Sequence, residues 1–342
     1  MATAFVTGAT GFIGSHVAIH LLQKGWSVRA LRRPNSPAPY SEKANIGWCS
    51  GDIRNVDEVQ SAMAGCEVVF HVAADYRLWA RNPEEIYETN VAGTRHILQA
   101  ALQNRVEQVI YTSSVGALGL RADGKPADEA TPVRIEDMVG HYKKSKFLAE
   151  REAERFLDQG LPVVMVHPST PVGPGDHKPT PTGKIIVDFL NRRMPAFLDT
   201  GLNLIHVRDV AEGHVLALER GRVGEKYILG NQNLTLAEIF AILERVSGIP
   251  APRFRLPYRP ILFLGYLCQT VSNITGREPL IPYEGVKMAQ RFMFFDASKA
   301  VNELGLPQTP VELALAEAVK WFRDYGYVTC ERMSDVGCRM SE

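Results

Sequence analysis

Eight residues, Thr7-Gly8-Ala9-Thr10-Gly11-Phe12-Ile13-Gly14, constrain this chain more than any other stretch. The apolar run Ala4-Phe5-Val6 leads into them, and a helical pattern from Ser15 to Lys24 follows. Gly8 permits a tight exit from the strand, Gly11 lets the backbone approach a pyrophosphate closely, and Gly14 lets the helix pack near the sheet. The helix N-terminus then presents unpaired N–H groups and a partial positive charge to phosphate. Spaced glycines alone also mark ordinary turns. Their place between a strand and a helix is what points to a dinucleotide. Gly8, Thr10, Gly11, Phe12, Ile13 and Gly14 are therefore the expected cofactor contacts of this loop.

Strand and helix signals keep alternating as far as Thr112. The strand Ser27 to Leu31 ends at Arg32-Arg33-Pro34. A carboxylate there would hold the ribose hydroxyls of NAD, whereas a guanidinium grips a 2′-phosphate bidentately and stacks on adenine. NADP is thus expected in preference to NAD, the alternative being two solvated loop arginines. Gly51-Asp52-Ile53 follows Trp48-Cys49-Ser50, and a helix runs from Val56 to Met63. Asp52 sits where it would accept a hydrogen bond from the adenine amine, or act as an ordinary cap or turn residue. Val68 to Ala74 reads as a strand buried on both faces, with Ala73 and Ala74 small where a cofactor would lie. His71 reads as a satisfied strand histidine. A long helix is expected from Pro83 to Leu102, carrying Asn90, and another strand from Val109 to Thr112. This order predicts an α/β fold, a doubly wound parallel Rossmann sheet.

Composition narrows the partners. Lys+Arg and Asp+Glu number 38 each, so no global charge draws the chain to nucleic acid or to an anionic membrane. Cysteines 49, 66, 268, 330 and 338 are scattered, without the paired spacing of a zinc site or a disulfide framework. No apolar run reaches the roughly 18 residues of a membrane-spanning helix. The expectation is a cytoplasmic protein acting on a small molecule, with no integral membrane segment and no metal.

Chemistry enters at two places. Val109-Ile110-Tyr111-Thr112-Ser113-Ser114 delivers hydroxyls to the carboxyl end of a strand, where open α/β sheets bind ligands. Tyr142-Lys143-Lys144-Ser145-Lys146 then opens a helix running to about Phe156, with Tyr142 and Lys146 four apart on one face. A tyrosine with an ordinary pKa of about 10 needs a shift of about 3 units, roughly 4 kcal/mol, to act as a base near neutrality. Lys146 and a positive nicotinamide ring would supply it. Ser114 would hydrogen-bond the substrate oxygen while Tyr142 exchanges its proton as hydride moves at the adjacent carbon.

With these residues in place, the chain resembles an extended short-chain dehydrogenase/reductase. Thr7 to Gly14 matches the family's TGxxGxxG loop, Ser114, Tyr142 and Lys146 its catalytic set, and Asp52 its adenine-side acid. The similarity covers about residues 3 to 326. Ala74-Asp75-Tyr76-Arg77-Leu78-Trp79, His167 to Gly175 and Leu204-Ile205-His206-Val207-Arg208-Asp209-Val210 resemble the hopanoid-associated sugar epimerase branch, which is similar to dihydroflavonol 4-reductases. The cofactor contacts this resemblance implies also take in Ile53, Ala73, Ala74, Asn90, Thr112, Tyr142, Lys146, Pro168 and Ser169.

The expected division is an NADP-binding domain over residues 1–168, its sheet completed by about 202–230, a smaller, mostly helical C-terminal substrate lobe over 169–201 and 231–328, and a flexible tail over 329–342. Leu204 to Val207 and Lys226 to Leu229 are expected as returning strands of the sheet, around a helix from Asp209 to Glu219. Thr235 with Glu238 and Thr309 with Glu312 are two capping-box signatures, the second with Pro310 at the first helical position. Ile261 to Leu267 is expected to pack on the lobe's own core, with a pocket wall as the alternative.

Reduction and epimerisation share this cofactor and triad. Nucleotide-sugar epimerases of the family commonly carry R-D-[YF] where this chain has Leu202-Asn203-Leu204, and often Asn where it has Ser169-Thr170. Both departures remove polar contacts. The expectation is an NADP-dependent interconversion of a ketone or aldehyde and a hydroxyl on a moderately apolar molecule, with epimerisation of a sugar through a transient ketone as the alternative and a non-catalytic NADP sensor as the outside one. Family architecture implies a homodimer through the helices that carry Asn90 and Tyr142.

Overall fold

The computed structural model describes residues 2–329. Its first half runs β1 (Thr3–Thr7), α1 (Phe12–Gln23), β2 (Ser27–Arg32), β3 (Gly47–Ser50), α2 (Val56–Met63), β4 (Val68–His71), α3 (Glu84–Tyr87), α4 (Gly93–Asn104), β5 (Gln108–Thr112), α5 (Gly140–Asp158) and β6 (Val163–Pro168). There follow β7 (Thr170–Val172), α6 (Pro181–Leu190), β8 (Ala196–Leu198), β9 (Gly201–His206), α7 (Val207–Arg220), β10 (Lys226–Leu229), β11 (Gln232–Thr235) and α8 (Leu236–Ser247). The chain closes with β12 (Phe254–Leu256), α9 (Tyr258–Thr275), α10 (Tyr283–Met288) and α11 (Val311–Asp324).

Seven parallel strands form the central sheet in the order β10-β6-β5-β4-β1-β2-β3. The order reverses beside β1, which opens a crevice at the strands' carboxyl ends. One apolar layer under α1 and α7 includes Val6, Phe70, Ile110 and Val166. The opposite layer, under α2, α4 and α5, includes Phe5, Val69, Tyr111 and Met165. Alternate residues of each strand thus feed opposite layers, which is why the central strands are apolar throughout.

Several boundaries differ from the sequence pattern for identifiable reasons. The strand expected to reach Ala74 stops at His71, because the Val72 and Ala73 amides donate to Thr7 Oγ1, both at 3.2 Å, instead of continuing the ladder. The long helix around Asn90 forms, but α3 and α4 are joined through a π-helical turn over Glu88–Ala92, whose extra residue turns Asn90 into the interior.

The expected strand at Leu204 to Val207 is corrected. Gly201–His206 does not join the main sheet; it pairs antiparallel with β11 and parallel with β7 in a separate three-stranded sheet. The edge beside β6 is taken by β10, with Leu229 opposite Pro168. The side chains explain the split: Leu202 and Leu204 enter the lobe core, while Tyr227 and Leu229 enter the sheet core.

The capping box at Thr235 forms in full, with Glu238 returning to the Thr235 amide. Its counterpart at Thr309 does not. Thr309 gives both its amide and its hydroxyl to Asp209 at 2.8 Å, and Glu312 is drawn away by Arg245. Phe189, Phe240, Trp321 and Phe322 fill the lobe core between α6, α8 and α11. Helix α9 stays outside it, with Gly265 and Ser272 its buried residues, so the expectation that Ile261 to Leu267 packs on that core is also corrected. Thr329 bonds Asn191, and the rest of the expected tail lies outside the described residues.

Candidate functional site

The glycine loop joins β1 to α1 on the lip of the crevice. Gly8 has φ +76°, and a Cβ there would lie 2.7 Å from the Ala73 amide nitrogen. A Cβ on Gly14 would lie 2.1 Å from the Gly8 carbonyl oxygen. Neither position tolerates a side chain, so strand, loop and helix are locked against one another. Gly11 donates to Gly8 O at 2.8 Å and caps α1 without any side-chain acceptor, leaving the first-turn amides for an external anion. Thr10, Gly11 and Ile13 are half-buried along this loop, and Phe12 is buried against His16.

Ala73 and Ala74, half-buried, follow the end of β4. His71 is buried and bonded on both nitrogens, 2.8 Å from Thr7 Oγ1 and 2.9 Å from Thr94 Oγ1. Burial, with Lys146 nearby, pushes its pKa down to about 3. Its role in the structure is to tie β1 to α4. Asn90 is likewise committed to protein partners: it accepts from the Asp75 amide at 2.7 Å and donates to Asp75 O and to Ser145 Oγ, both at 2.8 Å. It thereby joins the loop after β4 to helix α5.

At the far end of the crevice Arg32 lies over Trp48, 4.9 Å from the ring centroid, and pairs with Glu42 at 3.3 Å. The exposed Arg33 makes no side-chain hydrogen bond or ion pair among the described residues. Asp52 is held by Arg54 at 2.8 Å, a bond that lowers its pKa, and Ile53 is buried against Gly93.

Ser114, Lys143 and Tyr142 converge on Gly116. A Cβ built there would lie 3.2 Å from Ser114 Oγ, 3.5 Å from Lys143 Cγ and 3.8 Å from Tyr142 Cε1. Ser114 Oγ accepts from the Gly116 amide at 3.0 Å. Burial raises the Tyr142 pKa, and the Ser114 hydroxyl offsets part of that rise. Lys146, one turn on and fully buried, does not spend its protons on Tyr142. It donates to Thr112 O at 2.7 Å and to the Tyr111 hydroxyl at 3.2 Å, and burial brings its pKa down to about 7. Lys143 reaches toward Met293 Sδ at 3.8 Å; burial, with Arg291 second, lowers its pKa to about 8.

The residues that sequence reasoning passed over stand behind this constellation. Glu150, one further turn along the face of Tyr142 and Lys146, accepts from Ser113 Oγ at 2.6 Å, pairs with His167 at 2.8 Å and meets Lys226 at 2.6 Å. Burial alone would raise its carboxyl, but His167 and Lys226 outweigh burial and hold it well below the usual range. The i, i+4, i+8 spacing of Tyr142, Lys146 and Glu150 was the available signal. Tyr111 carried none beyond its place in a buried strand.

The arrangement fits a dinucleotide on three grounds. Gly8 and Gly14 form a cradle that a Cβ would fill, and among the described residues α1 begins without a side-chain acceptor and Ser169 Oγ, next to the Pro168 end of β6, is buried without a hydrogen-bond partner.

Residues 4–230 match the NAD dependent epimerase/dehydratase family. The chain is 48% identical over 328 residues to a putative dihydroflavonol 4-reductase of Synechocystis, covering 95% of each. It is 31% identical to sterol demethylase protein B of Methylococcus capsulatus, over 95% of this chain and 100% of that one. A nucleoside-diphosphate-sugar epimerase from Pseudomonas aeruginosa superposes with a TM-score of 0.78 at 26% identity, over 96% of this chain and 99% of that one. The chain therefore belongs to the NAD-dependent epimerase/dehydratase family, the extended short-chain dehydrogenases/reductases, and is a dihydroflavonol-reductase-like member of it.

Proposed function

We propose that this protein is an NADP(H)-dependent oxidoreductase that interconverts a ketone or aldehyde and a hydroxyl on a moderately apolar small molecule. The observation that carries the reading is the convergence of Ser114 and Tyr142 on Gly116, with Lys146 buried one turn behind, at the carboxyl edge of the sheet. Gly8, Gly11 and Gly14 would hold the pyrophosphate, Arg32 and Arg33 the 2′-phosphate, Asp52 and Ile53 the adenine side, and Ala73, Ala74, Pro168 and Ser169 the nicotinamide side. A nicotinamide bound there would supply or accept hydride at the substrate carbon. Tyr142, kept protonated at neutral pH by burial, donates its proton to the carbonyl oxygen in reduction. Ser114 Oγ orients that oxygen. The Lys146 ammonium, fixed by Thr112 O and Tyr111 one helical turn from Tyr142, would stabilise the phenolate left behind.

The choice of an apolar substrate rests on Leu202, which stands where nucleotide-sugar relatives place a cation, and on Arg208, which is committed to Glu317. Without such a cation a diphosphate loses charge-assisted bonds worth about 1.5–3 kcal/mol each. The sterol and dihydroflavonol names of the relatives support a ring-containing apolar substrate. Epimerisation of a sugar through a transient ketone is the second reading, favoured by Lys143 and Arg291, two cations on the substrate side. With either reaction, the proposed protein is a cytoplasmic homodimer formed through the helices that carry Asn90 and Tyr142, with substrate bound between the Rossmann domain and the C-terminal lobe.

The test is a panel of ketones and sugar nucleotides, read by NADPH consumption and product stereochemistry. Tyr142→Phe should lower turnover by roughly 10²–10⁴-fold with cofactor affinity intact, since only the transferable proton is lost. Retention of more than about a tenth of the activity removes Tyr142 from the role. Replacing Arg32 and Arg33 by Ala should weaken NADPH but not NADH; equal losses end the NADP assignment. Micromolar binding of UDP-glucose or UDP to the NADP-loaded protein would restore the epimerase reading.

A further inference from the structure

We propose that the outward face of α9 seats this protein on anionic lipid surfaces. The helix is inverted relative to an ordinary surface helix. Its inward side carries Gly265 and Ser272, whereas Phe263, Leu267, Val271 and Ile274, at i, i+4, i+8 and i+11, form one stripe turned to solvent. These side chains are 65%, 44%, 58% and 81% exposed, and Leu280 beyond the helix is 94% exposed. Single exposed apolar residues are ordinary, but a continuous stripe marks an interaction surface.

Charge identifies the occupant. Between residues 253 and 277 the chain carries Arg253, Arg255, Arg259 and Arg277 and no aspartate or glutamate. Arg81 lies against Gly276 at the helix's C-terminal end. Acidic groups near it include Asp199, 3.7 Å from Arg255, Glu278, which follows Arg277 in the chain, and Glu284 of the adjoining α10. Two copies meeting through this face would set arginine against arginine. A lipid surface instead offers acyl chains to the stripe and anionic headgroups to the arginines at both ends. Among the described residues no helix is long and apolar enough to cross a membrane, so the geometry is that of a helix lying in the interface.

The position serves the site, whichever reaction it runs. Gly265 of α9 backs onto Tyr283 and Val286 of α10, and Glu284 of α10 lies against Gly140, two residues before Tyr142. A lipid-seated α9 therefore places the mouth of the crevice at the lipid boundary, where an amphiphilic substrate enters without crossing water.

The test is sedimentation of the full-length protein with vesicles of phosphatidylcholine alone or mixed equally with phosphatidylglycerol. The protein should pellet with the mixed vesicles, less with phosphatidylcholine alone, and be partly released by salt. The combined change Phe263→Ser, Leu267→Ser and Ile274→Ser should weaken binding more than about tenfold without shifting the thermal midpoint, because those side chains face solvent. Arg253→Ala, Arg255→Ala and Arg259→Ala together should abolish the preference for phosphatidylglycerol. Wild-type protein remaining in the supernatant with both vesicles, or the serine variant pelleting like wild type, overturns the proposal. So does light scattering that shows a wild-type dimer falling to monomer in the serine variant, which assigns the face to a second copy.

Discussion

Helices α5 and α9 are nearly equal in length, at 19 and 18 residues, and treat water in opposite ways. Helix α5 is rich in Lys, Arg and Glu, yet it buries Lys146 and Glu150. Helix α9 is rich in Leu, Ile and aromatic residues, yet it turns Phe263 and Ile274 outward. The difference lies in the neighbours. Helix α5 is wedged between α4 and the ends of β5 and β6, which supply a partner for each buried charge: Thr112 O and Tyr111 for Lys146, Ser113 and His167 for Glu150. Helix α9 meets α10 through Gly265 and through Tyr266 on Tyr283, which leaves Phe263, Leu267, Val271 and Ile274 turned to solvent. Partners make a buried charge tolerable, whereas an exposed apolar stripe offers a surface for association.

The comparison breaks most readily at Glu150. Glu150→Ala leaves Ser113, His167 and Lys226 without their shared acceptor, and should cost about 3–5 kcal/mol in chemical denaturation. A loss under about 1 kcal/mol would mean that the network behind the site is ornamental to the fold.

An effect on the same scale is expected from acid. His71, His16 and His214 are buried and neutral, with pKa values brought by burial to about 3, about 4 and about 4 from the ordinary 6.5. Below 6.5 the unfolded chain takes up protons that the folded one refuses, so stability falls as pH drops toward those lower values, by roughly 1–2 kcal/mol per histidine at pH 5. Asp176, raised to about 6 by burial, works in the opposite direction, because its protonated form is favoured in the folded state. Thermal melts should therefore show a lower midpoint at pH 5 than at pH 7, and an unchanged midpoint would contradict the buried, neutral state of these histidines.

The smallest effect sharpens the contrast from the other side. Phe263→Ser should change stability by no more than about 0.5 kcal/mol, since the side chain covers little of the protein. A cost comparable with that of a core aromatic, about 3–5 kcal/mol, would show α9 packed against something in solution and dissolve the difference between the two helices.

The central architecture was legible because it is local. Glycine spacing after a strand, continuous apolar runs and the order of strand and helix each depend on neighbours in sequence, and they led to the parallel sheet, the loop of Gly8 to Gly14 and the helix of Tyr142. The partners of those residues are not local. That Lys146 turns to Tyr111 and Thr112, that Glu150 gathers Ser113, His167 and Lys226, and that Asn90 ties Asp75 to Ser145 follow from strand register and from a π-helical turn between α3 and α4. The strand at Gly201–His206 and the caps at Thr235 and Thr309 show the same limit. All three segments matched their local patterns, but only Thr235 kept the expected partner, because Asp209 captured Thr309 and the lobe core claimed Leu202 and Leu204. By itself the sequence determined the alternating strands and helices of the first half and where the glycine loop lies, since backbone sterics and hydrophobic periodicity act over a few residues. Tertiary structure alone decided which faces are buried and which charges find partners, since burial and pairing depend on what packs against an element from far along the chain.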